Sequence, residues 1–115
     1  MENTFVNELI RYEQQLRILH WQTRSYARHK AYGDAYVSIS ELMDTFVELY
    51  MGKYGRVEVT TPIELKNIKQ LNVVDFLKEA TSFLSNMNIE DTDILNVRDE
   101  ILGEFKKLMY LLTLK

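Results

Sequence analysis

The chain has 115 residues, 46% of them hydrophobic and 27% charged, which suits one globular domain, residues 1–115, with a small core. Its formal net charge is −3 and no run of Lys or Arg stands out, which argues against broad nucleic-acid binding; with no cysteine, a disulfide framework and a thiolate zinc site are excluded. The first residues show no positive-then-apolar signal segment, and the longest apolar run, residues 108–112, is too short to span a bilayer, so a soluble, cytoplasmic protein with no membrane partner is expected.

One proline and four glycines favour long helices over a turn-rich β fold. Phe5, Leu9, Tyr12, Leu16, Leu19 and Thr23 recur at three- and four-residue steps, with Ile10 and Ile18 widening the face, and predict helix A over 3–24. Asn3 or Thr4 can cap its start. A break at 25–28 precedes helix B over 29–54, carried by Tyr32, Tyr36, Ile39, Met43, Phe46 or Val47, and Tyr50. Gly52 and Gly55 suit its end.

Residues 56–72 read differently. Val57 and Val59 alternate briefly as in an extended strand, and Thr61-Pro62-Ile63-Glu64 is a capping-box pattern that predicts a short helix over 62–69. The whole connection exceeds the roughly two to eight residues usual in bundles. That length lets the next helix run parallel to helix B. Asn72 caps helix C, with Asp75 in its first turn and Val73, Phe76 or Leu77, Ala80, Leu84 and Met87 facing inward; Asn86 and Asn88 close it. Asp91 or Thr92 caps helix D, whose inward face is Ile94, Val97, Ile101, Phe105, Leu108 and Leu112. Residues 108–114 are apolar on nearly every side, so that end is either deeply buried or covered by another subunit. Four helices, short A–B and C–D links and one long B–C crossover describe an all-α, ferritin-like four-helix bundle; the alternative is a simple up-down bundle with a loose middle loop.

The stretch from His20 to Glu48 holds both histidines, the only tryptophan, Trp21, and two acids, Asp44 and Glu48, one helical turn apart. Each residue alone has an ordinary role: a capping or packing histidine, a polar helix edge. Glu-x-x-His is absent and the second half of the chain has no histidine, which argues against a di-iron centre inside one monomer. Asp99, Glu100 and Glu104 read as a solvated or ion-paired face beside Lys106 and Lys107. Fifteen residues of one helix, a rise of about 22 Å, separate His29 from Asp44. One ion cannot bind both within one chain. A site using all four residues needs two chains, with A and B paired antiparallel across a two-fold axis.

With His20–Trp21 ending one helix, His29 opening the next, and Asp44 and Glu48 following at this interval, the stretch resembles the mini-ferritins, the DNA-protection-during-starvation proteins of the ferritin-like superfamily. The chain also looks like a small ferritin-like family of bacteriophages. The mini-ferritin resemblance covers roughly residues 5–56. It implies an intersubunit ferroxidase site with His20 and His29 from one chain and Asp44 and Glu48 from its mate, and Trp21 as a near-site aromatic. The link between the histidines is shorter than the family's, and no basic segment precedes helix A. The resemblance further implies a homodimer or larger homo-oligomer, iron as the metal (zinc or manganese as alternatives), Fe(II) oxidation by peroxide or dioxygen if the site turns over, and the host cytoplasm for a phage-encoded chain. The competing expectations are a non-catalytic helical dimer that is structural or binds a partner, and a metal-stabilised dimer without turnover. Tyr12, Tyr32, Tyr36, Tyr50 and Tyr54 are expected to pack rather than to exchange electrons.

Overall fold

The structure, a computed structural model, describes residues 5–114. Four helices form an all-α bundle, with no strand among the described residues: α1 (Phe5–Gln22), α2 (Tyr26–Tyr54), α3 (Val73–Ser85) and α4 (Thr92–Leu111). None of them is long and apolar enough to cross a membrane. At 29 residues α2 is about 43 Å long, which matches the longest dimension of the molecule, 42 Å.

Contacts at the helix ends fix the directions. Phe5 meets Phe46 and Tyr50 edge-on, while His20 meets His29, so α1 and α2 are antiparallel. Lys53 and Tyr54 reach Asp91, just before α4, and Arg28 donates to the Leu112 carbonyl just after it, so α2 and α4 are antiparallel. Arg98 donates to the Leu84 carbonyl at 2.8 Å and sets α3 antiparallel to α4. Hence α3 runs parallel to α2, as the long connection allows. The core follows the apolar stripes: Leu9, Leu16, Leu19, Tyr32, Ile39, Phe46, Ala80, Leu84, Ile101 and Phe105 are all buried. Tyr12 joins three helices, its ring edge-on to Phe76, Phe83 and Phe105 at 5.8–6.2 Å.

The connection 55–72 returns the chain from the end of α2 to the start of α3 along the length of α1. Three amide side chains hold it there. Asn7 donates to the Thr60 carbonyl and accepts from its N–H; Gln15 does the same with Lys66; Gln22 accepts from Ile68 N–H and donates to the Asn67 side chain. Backbone groups paired with α1 side chains cannot also build a helical ladder. The expected helix over 62–69 is therefore absent, and only a single 3-10 turn, Ile68–Gln70, forms. The strand-like alternation at 57–61 has no partner strand.

Other boundaries also differ from expectation. The A–B break covers only residues 23–25, because the Ser25 side chain accepts from Arg28 N–H and starts α2 early, placing His29 in its first turn. Gly52 lies inside α2, and Gly55, at φ 90°, closes it. Asn72 caps α3 through Asp75 N–H, and Asn86 ends it. Asp91 stands at the N-cap of α4 without using its carboxylate as a cap, because Lys53 and the Tyr54 hydroxyl hold it. The apolar tail is split: Leu108 is buried, whereas Tyr110 and Leu114 are exposed. Caps at Asn3 or Thr4 lie outside the described residues.

Candidate metal centre

The α1–α2 turn brings the two histidines face to face. Their rings stack at 3.9 Å between centroids and 17° between planes. His20 Nδ1 lies 2.7 Å from the His29 carbonyl oxygen, and His29 Nδ1 lies 2.8 Å from the His20 carbonyl oxygen. A carbonyl only accepts, so each Nδ1 carries a proton and donates it. In the neutral imidazole the lone pair then sits on Nε2. His20 belongs to the last turn of α1, where carbonyls lack helical partners, so His29 also caps that helix.

The slot for His20 is cut into α2. Its ring meets the Tyr36 ring edge-on at 5.5 Å and lies over Gly33, where a Cβ would come within 2.8 Å of Cε1 and 2.9 Å of Nδ1. Sequence spacing does not mark Gly33 or Tyr36 as site residues; the one signal it carries is a glycine four residues after His29 in the middle of a long helical pattern.

Asp44 and Glu48 lie in the second half of α2, on its exposed surface. Within the chain they are remote from the histidines, as the helical rise requires. Among the described residues, no group of three or more His, Asp or Glu is placed to hold a metal ion. A single chain therefore does not assemble the four candidates. What Asp44 does have nearby is Glu13 of α1. Burial pushes the Glu13 carboxyl above its ordinary range; Arg17, 3.5 Å away, opposes this, the charge of Asp44 adds to it, and the Ser40 hydroxyl opposes it.

Trp21 fills no corner within the chain: it is 68% exposed, and Tyr26 at the start of α2 is 79% exposed. Tyr12, Tyr32 and Tyr50 are buried packing residues, and Tyr36 is half-buried under the Arg17 guanidinium. Tyr54 packs its half-exposed ring against Tyr50 at 4.8 Å, and its hydroxyl donates to Asp91 at 2.5 Å. A groove of about 760 Å³ between α1, the crossover and α3, lined by Glu8, Arg11, Gln15, Glu64 and Asp75 among others, contains none of the four candidate ligands.

The end of the bundle that holds the histidines is rich in Arg24, Arg28, Lys30, Lys106 and Lys107, whereas Glu41, Asp44, Glu48, Asp93 and Asp99 lie toward the other. Two copies laid side by side antiparallel would set each basic end against an acidic one.

No solved structure matches the chain. An uncharacterized 14.6 kDa protein in the mobD-ri intergenic region of Enterobacteria phage T4 is 32% identical over 101 residues, which cover 84% of this chain and 75% of that protein. Residues 20–112 match DUF5856, a family of unknown function, and that span starts at His20 and takes in His29, Asp44 and Glu48. The chain belongs to the DUF5856 family.

Proposed function

We propose that the protein is a ferritin-like homodimer, or larger homo-oligomer, that binds Fe(II) between subunits and oxidises it. The observation that carries this reading is the reciprocal pair of Nδ1 hydrogen bonds. A metal-ligating histidine usually donates its second N–H to a carbonyl or carboxylate, which fixes the ring and leaves Nε2 for the metal. His20 and His29 both meet that condition. Imidazole and carboxylate donors suit Fe(II), with zinc and manganese as alternatives. Rings stacked at 17° cannot both aim a lone pair at one ion, so each histidine serves a separate ion. Asp44 and Glu48 of the mate would supply negative charge and oxygen donors. Two Fe(II) then give up one electron each, and a peroxide that takes both with two protons leaves as two waters. Trp21 closes the corner between the two chains.

The antiparallel contact that this site needs is also the one that charge complementarity favours. The fold supports the reading as well: α3 parallel to α2 after a long crossover is the connectivity of ferritin-like bundles.

The reciprocal capping favours a second reading too. The histidine pair can be a staple for a tight turn in a helical module that binds a partner through Trp21, Tyr26 and Tyr110, exposed near one end. Anaerobic titration with Fe(II), followed by peroxide or dioxygen, separates the two. Under the first reading, wild type gains ferric absorbance and Asp44→Ala/Glu48→Ala does not. Absent iron uptake by wild type, with the acid variant indistinguishable from it, would leave only the staple.

A further inference from the structure

We infer that Gly33 is a positioning residue for the histidine pair: the missing side chain at 33 makes the slot that holds the His20 ring. The functional consequence rests on the proposed metal site; the slot itself is a matter of packing. His29, Gly33 and Tyr36 follow one another at four- and three-residue steps and form one stripe along α2. His20 lies on that stripe. The His29 carbonyl holds its Nδ1 at 2.7 Å, the His29 ring covers its face at 3.9 Å, and the Tyr36 ring meets it at 5.5 Å. A Cβ at 33 would stand 2.8 Å from Cε1, well inside the roughly 3.5–4 Å of favourable carbon contacts.

Glycine is a poor residue for a helix interior, and at Gly33 the His20 ring occupies the space a side chain would take. Gly52 in the same helix and Gly103 in α4 are different, because a Cβ there would meet nothing within 4 Å. The ring is the far end of a rotatable side chain. A methyl group at 33 therefore expels the ring and leaves the bundle intact. Once expelled, His20 loses the carbonyl that fixes its tautomer and the direction of its Nε2, and the pair is reduced to one oriented ligand.

The test uses Gly33→Ala, His20→Ala, the double variant, and Gly52→Ala as the control for helix propensity. Two properties are followed: the imidazole Cε1–H proton resonances without metal, which the stack displaces by ring current, and Co(II) binding by absorbance. In Gly33→Ala both histidine resonances move toward those of unstacked imidazole, and Co(II) binding weakens about ten- to a hundredfold, as in His20→Ala. Gly52→Ala changes neither and melts at a higher temperature. The double variant melts above His20→Ala, because the methyl then has room and only helix propensity remains. Imidazole resonances unchanged by Gly33→Ala overturn the inference. So does a double variant that melts no higher than His20→Ala, a comparison that still decides the matter if Gly33→Ala alone does not fold. Failure of wild type to bind Co(II) counts against the metal site, and the resonances and melting temperatures then judge the slot alone.

Discussion

Gln15 grips Lys66 by both ends of its side-chain amide: Nε2 donates to the Lys66 carbonyl at 2.8 Å and Oε1 accepts from the Lys66 N–H at 2.9 Å. The side chain sits in the apolar stripe of α1, between Tyr12 and Leu19, and is 2% exposed. Gln15→Leu keeps the size and burial but gives up both bonds, and the backbone of exposed Lys66 must turn to water. The expected loss is about 1–3 kcal/mol, and the effect is local. Hydrogen exchange at the amides of residues 60–68 should rise while α2 and α4 stay protected. Unchanged protection at Lys66 would mean that something else holds the crossover.

That contact also marks where the sequence is readable and where it is not. Helical spacing reveals the four helices because each buries one continuous stripe, from Phe5 to Leu19 in α1 and from Ile94 to Leu108 in α4. The crossover is opaque because its backbone is satisfied by Asn7, Gln15 and Gln22, and local pattern does not link these to residues some fifty positions away. Gln15 alone hints at it, as an amide in a core stripe. At the candidate site, helical rise tells that the histidines and acids cannot meet within a chain. It does not tell that the two imidazoles stack, because this depends on the Ser25 cap starting α2 early and on the empty position at Gly33.

Glu13 should give the fold a pH dependence of definite sign. Burial raises its pKa in the folded state, with Arg17 opposing and Asp44 reinforcing. A carboxyl with a raised folded pKa contributes stability below its unfolded value, near 4.3, and that contribution is lost as pH rises through the folded value. At pH 7 the ionised group is therefore a burden. Glu13→Gln should melt above wild type at pH 7 and together with it near pH 3.5. Equal melting temperatures at both pH values would show that Glu13 titrates normally.

Tyr32 presents the opposite case, a polar group with nothing to gain. Its hydroxyl is buried and makes no well-formed hydrogen bond among the described residues, although the Arg28 guanidinium lies near it, and the residue is 0% exposed. Burial, opposed by the Arg28 guanidinium, pushes the phenol pKa up, which keeps it protonated at neutral pH. Tyr32→Phe retains the ring and removes the unsatisfied group. It should stabilise the protein by about 1 kcal/mol, seen as a higher urea midpoint with an unchanged slope. Destabilisation instead would reveal a partner for the hydroxyl in solution.

The proposed intersubunit site makes a prediction that no single-chain site can imitate. His20→Ala/His29→Ala and Asp44→Ala/Glu48→Ala should each fail to oxidise Fe(II), one lacking the imidazoles and the other the carboxylates. Unfolded together and refolded as an equal mixture, they form heterodimers in which the acid variant's histidines face the histidine variant's acids. One of the two sites in each heterodimer is then whole. Random pairing makes about half of the dimers mixed, so roughly a quarter of the wild-type sites return. Recovery of ferric absorbance near that level, from two inactive parents, places the ligands on different chains. No recovery, with size-exclusion chromatography showing that mixed dimers had formed, would rule the intersubunit site out.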